Sequence, residues 1–204
     1  MNTFEKNIAA LREKYPGLSE ILISKPILQE WEAHKAENGQ ITARYNMGNG
    51  LCRYIHSRIN VTEEVDKWVA MTKHATGTSI VLGFGLGYHV MALMREGCFR
   101  QMIVVEYSLG LFRLAMDIID LTPVLLDSRC LLLIGEALPA ARKYICESLK
   151  DPICYNMFLP STELHSHYYN SIRDILEDRI FKYRSQIDPL LSESLIKLLQ
   201  ATVQ

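Results

Sequence analysis

The run Ile80-Val81-Leu82-Gly83-Phe84-Gly85-Leu86-Gly87-Tyr88-His89 constrains this chain more than any other stretch. Three apolar residues of strand type lead into glycines spaced two apart, and a pattern of helical period follows. Glycine admits positive φ and leaves the backbone bare, so such a turn carries a strand into a helix within a few residues. Backbone N–H groups and a helix N-terminus then face outward at the carboxyl end of the strand, where an anion or a ribose can sit. A second apolar run, Met102-Ile103-Val104-Val105, ends in Glu106, nineteen residues beyond Gly87. Strand, glycine turn, helix and acid-terminated strand outline a nucleotide-binding half-fold.

The alternation continues on both sides of that unit. Strands are expected at 80–82, 102–105 and 130–134, with helices at 88–95, 109–119 and 137–148. Tyr155 to Leu159 reads as a fourth strand, interrupted by Pro160. Strands alternating with helices predict an α/β fold, a Rossmann-like parallel sheet with helices on both faces and right-handed crossovers.

Ahead of it, Phe4, Ile8, Leu11 and Tyr15 lie three and four apart, an amphipathic helix stopped by Pro16-Gly17. Asn38-Gly39 and Gly48-Asn49-Gly50 bracket residues 40–47. With Leu51 to His56 these form a small antiparallel meander that begins near Trp31. Ser57 or Thr62 is the expected cap of a helix with Val65, Trp68, Val69 and Thr72 on one face, and Glu63 and Glu64 suit its first turn. Towards the C-terminus two helices are expected, 166–184 and 189–203. The chain divides into a helix-and-meander element (1–76), a Rossmann-like core (77–160) and C-terminal helices (161–204). Because the sequence stops in a helix with no capping glycine, those helices are expected to lead into a further domain of a longer protein.

Of 204 residues, 49% are hydrophobic and 22% charged, with a net charge of −1. That balance argues against nucleic-acid binding, which rests on a basic surface. No stretch approaches the ~18 consecutive apolar residues of a membrane span. Cys52, Cys98, Cys130, Cys146 and Cys154 are scattered and never at C-x-x-C spacing, which suits reduced thiols in the cytoplasm better than disulfides or a zinc site.

The candidate binding residues are Gly83, Gly85, Gly87 and Glu106. The glycines would let a ligand approach the backbone, and the acid would accept hydrogen bonds from ribose hydroxyls. Their spacing is tighter than the dinucleotide pattern and resembles the first motif of class I S-adenosylmethionine-dependent methyltransferases. That resemblance implies S-adenosylmethionine or a nucleotide as ligand, with Glu136 of Gly135-Glu136 near the adenine. The plain structural alternative has the glycines making a sharp turn and Glu106 capping the next helix. A fourth-strand Asp/Asn-Pro-Pro-Tyr/Phe motif is missing, and Asp151-Pro152-Ile153-Cys154-Tyr155 is only a loose echo of it. Catalysis at this turn is therefore the weaker expectation.

A second constellation spans Tyr54 to Trp68. His56 could exchange protons and Arg58 could reach an anion, although capping of the following helix accounts for the same residues. His165 and His167 with Glu163 make too thin a pattern for a metal site, and none is expected. Gly-x-Ser-x-Gly and Gly-Lys-Ser/Thr sequences do not occur, which removes the serine-hydrolase and P-loop classes.

Taken together and in this order, "YIHSRINVTEEVDKW", "VLGFGLGYHV" and "IVVEYS" resemble the amino-terminal domain of the motility accessory factor proteins. In that family an "lhSryxPxxEAxrw" segment precedes a "vxGxGlGYHl" turn and a "vvEp" strand end. The chain departs from the pattern at Asn60-Val61 and at Tyr107, both turn positions, and it lacks the "GPSL" motif of the family's central domain. The resemblance implies an accessory Rossmann-like domain of a protein that glycosylates flagellin with nonulosonic acids, with the transfer chemistry elsewhere. It implies as partners a nucleotide or nucleotide sugar, flagellin or another protein, and a second copy of the chain. The rival expectation is an S-adenosylmethionine-dependent methyltransferase or aminopropyltransferase-like enzyme.

Overall fold

A computed structural model describes residues 1–24, 30–74, 76–148 and 152–201, the side chains of 148 and 184–201 excepted. Helix α1 (Thr3–Lys14) opens on Asn2 through a capping box, in which Asn2 accepts from the Glu5 N–H and Glu5 accepts from the Asn2 N–H. The helix ends at Lys14, just before Pro16 as expected, and Pro16 then begins a second helix, α2 (Pro16–Ser24). Proline at the first helical position gives up only an N–H that would have no partner there.

The meander is present as β1 (Trp31–Lys35), β2 (Ile41–Gly48) and β3 (Leu51–Tyr54), antiparallel in that order. Helix α3 (Val61–Thr72) is capped by Asn60, which accepts from the Glu63 N–H. Neither Ser57 nor Thr62 does this. The Thr62 hydroxyl donates to Gln40, and Ser57 Oγ accepts from the N–H groups of Ile59 and Asn60. The extended backbone at Asn60 (φ −142°, ψ 100°) puts the cap two residues before Thr62, which lies inside the first turn.

The α/β unit runs β4 (Thr78–Leu82), α4 (Tyr88–Glu96), β5 (Gln101–Glu106), α5 (Leu109–Ile118), α6 (Thr122–Leu125), β6 (Cys130–Ile134), α7 (Leu138–Ser148), β7 (Ile153–Met157), α8 (Leu159–Thr162) and, after a 3-10 turn at Glu163–His165, α9 (Ser166–Ala201). The four strands are parallel in the order β6-β5-β4-β7, with Ile80 paired to Ile103 and Tyr155. The α/β architecture expected from the sequence is thus the one observed. Successive strand residues pack on opposite faces. Val81 and Val104 share a cluster with Ile8, Leu11, Ala43 and Phe112, whereas Ile80 and Ile103 share one with Ile145, Tyr169 and Ile172. Burial on both sides explains why these strands read as unbroken apolar runs.

Two expectations about the C-terminal third are corrected. Pro160, expected to interrupt a strand, sits in the first turn of α8, and β7 lies two residues earlier than predicted. Helix α9 continues past Pro189, where two helices were expected. An interior proline removes one N–H and kinks a helix without necessarily ending it. Asp151 and the expected helix end at Val203 lie outside the described residues. Among the described residues, no helix is long and apolar enough to cross a membrane.

Candidate functional site

The chain order of the strands reverses between β4 and β7, and in open α/β sheets the crevice at such a reversal is where ligands bind. The glycine turn sits there. Gly83, Gly85 and Gly87 all have positive φ (94°, 55° and 87°), so the turn needs residues without a side chain. The Gly83 N–H still donates to Val105, extending the ladder by one bond before the chain turns.

Glu106, at the end of β5, comes to this turn and is completely buried. One carboxylate oxygen accepts from the Phe84 N–H (2.8 Å), the Gly85 N–H (3.4 Å) and the Ser161 hydroxyl (3.0 Å). The other accepts from the Ser108 N–H (2.8 Å) and the Tyr169 phenol (3.1 Å). Burial pushes the Glu106 carboxyl above the usual carboxylate range, while these donors pull the other way. The acid and glycines that the sequence grouped are thus together, but the partners of the acid come from the chain itself. Ser161 and Tyr169 supply two hydroxyls where a bound ribose would supply its own.

The turn is also closed sterically. A Cβ placed on Gly83 would lie 2.9 Å from the Ser161 Cβ, and one on Gly85 would lie 3.0 Å from His56 Nε2 and 3.1 Å from the Phe158 ring. At Gly87 it would meet the Phe84 ring at 2.7 Å. The segment 158–162 and His56 therefore fill the crevice.

His56 is buried with a fixed tautomer. Its Nε2 accepts from the Leu86 N–H (3.2 Å), which leaves Nδ1 to donate to Glu64 (3.3 Å). His89 lies flat on the Phe158 ring with centroids 4.0 Å apart and donates from Nε2 to the Gly83 carbonyl (3.0 Å). Burial holds its pKa down to about 3, so it is neutral at ordinary pH. Arg58 is exposed and stacks over Tyr54, and Glu163 pairs with Arg53.

Glu136 stands apart from this group, exposed beyond β6. Its chain neighbour Ala137 lines an open cleft of about 510 Å³ at the carboxyl ends of β5 and β6, together with Tyr107, Leu138 and residues 164–168. The sequence reading missed Ser161, Tyr169 and His89. Ser161 and Tyr169 reach Glu106 across more than fifty residues, with no spacing rule to announce them. His89 stood inside the glycine motif itself and carried the one available signal.

A family model described as the glycosyltransferase Maf N-terminal domain matches residues 35–187. Among solved structures, the Maf glycosyltransferase from Magnetospirillum magneticum AMB-1 is similar at 15% identity and a TM-score of 0.52. The match covers 83% of this chain and 35% of that one, so the chain spans about a third of its length. MNMC2 from Aquifex aeolicus matches at 16% identity and a TM-score of 0.39, covering 68% of this chain and 52% of the other. A protein assigned as an S-adenosyl-L-methionine-dependent methyltransferase, from Methanococcus maripaludis, matches at 14% and 0.30, covering 62% and 74%. A search of curated protein sequences found no match.

Proposed function

The chain belongs to the glycosyltransferase Maf N-terminal domain family, and from that premise we propose that it is the accessory domain of a Maf-type protein acting in flagellin glycosylation with nonulosonic acids. In this reading the glycine turn is scaffold and no reaction takes place on it. The observation that carries it is the state of Glu106. Its acceptor positions are taken by Phe84, Ser108, Ser161 and Tyr169, in a crevice filled by Phe158 and His56. A buried acid already supplied with donors gains little by exchanging them for those of a ribose, and opening the crevice would expose Phe158 and orphan the acid. The two histidines nearby are structural groups, each donating one N–H to a fixed acceptor.

Two measurements test this. Calorimetric titration of the chain with S-adenosylmethionine and its demethylated product is expected to be flat. Saturable binding abolished by Gly85→Val in a variant that still folds would overturn the scaffold reading. Deleting the gene for this chain in a motile source strain is expected to lower the intact mass of flagellin by whole sugar units. An unchanged flagellin mass would remove the glycosylation role.

A further inference from the structure

With the crevice at the strand reversal filled, one open space at the carboxyl edge of the sheet, among the described residues, is the cleft beyond β5 and β6. Its volume, about 510 Å³, falls within the range of small-molecule sites. Three kinds of group meet there. Tyr107, 42% exposed, presents an aromatic face against His165 (centroids 4.5 Å) and Tyr168 (4.7 Å). The first turn of α9 forms one wall with Ser166 and His167, so the positive end of a long helix and two imidazoles border the same space. Glu136 stands exposed beside Ala137, on the β6 side.

A further observation is independent of the helix terminus. Tyr168 lines the cleft at only 6% exposure, and its hydroxyl is buried without a hydrogen-bond partner. Burial first, and then the charges of Glu106 and Glu136, hold the Tyr168 phenol above its ordinary pKa, so it stays protonated as a donor. A buried hydroxyl with nothing to bond costs stability, so one kept under a cleft marks a place where a ligand's polar group completes the structure.

The geometry points to a nucleotide site: a nucleoside 5′-phosphate, with its base on the Tyr107 ring, its phosphate at the α9 N-terminus and His165, and its ribose towards Glu136. Aromatic stacking suits any base, helix N-termini and imidazole N–H groups suit phosphate, and a carboxylate after a parallel strand suits ribose hydroxyls. The site is separate from the glycine turn and does not depend on what the parent protein glycosylates.

Calorimetric titration of the full chain with CMP, AMP and inorganic phosphate tests it. Both nucleotides are expected to saturate in the micromolar to millimolar range, more tightly than phosphate. Tyr107→Ala is expected to weaken the nucleotides roughly 5- to 150-fold while leaving phosphate binding unchanged. Tyr168→Phe leaves the free protein as stable as before, since no bond is lost, and weakens nucleotide binding roughly 2- to 12-fold. Met71→Ala, on the exposed side of α3, leaves binding unchanged. Flat titrations with both nucleotides, or nucleotide binding indifferent to Tyr107→Ala in a folded variant, would overturn the assignment, and neither result bears on the flagellin-mass test.

Discussion

Glu106 is where a ligand-binding residue and a structural residue are easiest to confuse. An acid that ends the second strand is expected to face a cofactor, yet here it collects two backbone N–H groups and two hydroxyls at 3.1 Å or less. Its removal should therefore read as a stability loss. Glu106→Ala leaves several buried donors without an acceptor and is expected to cost about 3–5 kcal/mol in urea unfolding. Glu106→Gln keeps one good acceptor and is expected to cost less. If Glu106→Ala unfolds at the wild-type urea midpoint, the carboxylate is not holding the turn. His89 gives a second test at this scale, through pH. Its folded pKa is about 3 against an ordinary 6.5, so the unfolded chain binds the extra proton first. Stability from this group is full above pH 6.5 and falls as pH drops towards 3, by about 1.4 kcal/mol per unit. Glu106, pushed up by burial, works in the opposite sense: its share of stability grows as pH falls. The wild-type curve alone mixes the two. The difference between wild type and His89→Gln isolates the histidine, because glutamine keeps an N–H for the Gly83 carbonyl and does not titrate. That difference should grow steadily from pH 6.5 to pH 5, and a constant difference would mean that His89 is protonated in the fold.

Among the elements, α8 matters more than its four residues suggest, since it lays Ser161 and Thr162 on the glycine turn. Gly83→Ala forces a Cβ into left-handed backbone and to 2.9 Å from Ser161. It is expected to cost about 2–5 kcal/mol. Ser161→Gly removes the colliding atom together with one bond to Glu106. The double variant should thus be more stable than the sum of the two single losses by at least about 1 kcal/mol, and strict additivity in urea melts would mean that α8 does not close on Gly83. The legibility of the sequence divides along the same line. The strands announced themselves because Ile80 to Leu82 and Met102 to Val105 are buried on both faces and so are apolar throughout. Gly83, Gly85 and Glu106 were legible because their spacing is local to one strand–turn–helix–strand unit. The closure by Ser161, Tyr169 and His56 was not, since each reaches the turn through tertiary packing that no local pattern encodes. Pro160 misled because a proline that reads as a breaker of the preceding strand also suits the first turn of a helix, here α8.

At the scale of the whole molecule, Asn7 decides how the N-terminal helices join the sheet. It is fully buried and donates to the carbonyls of Met116 (2.8 Å) and Ile119 (2.6 Å), while its own oxygen accepts from the Leu121 N–H (2.9 Å). One amide thus satisfies two carbonyls near the end of α5 and the N–H that precedes α6. Beside it, Ile8 and Leu11 belong to the same cluster as Val81, Val104 and Phe158, so helix, meander and one face of the sheet share a core. Elements joined through one core unfold together. Both tryptophans, Trp31 in β1 and Trp68 in α3, report on the region before the sheet, whereas far-ultraviolet circular dichroism reports on all helices and strands. Urea transitions followed by the two probes are expected to coincide in the wild type. Asn7→Ala orphans three buried backbone groups and should move both midpoints down together, by about 3–5 kcal/mol of stability. Were tryptophan fluorescence to change at lower urea than circular dichroism in the wild type, the meander and α3 would be a separate folding unit, and the shared cluster would bind them only weakly to the sheet.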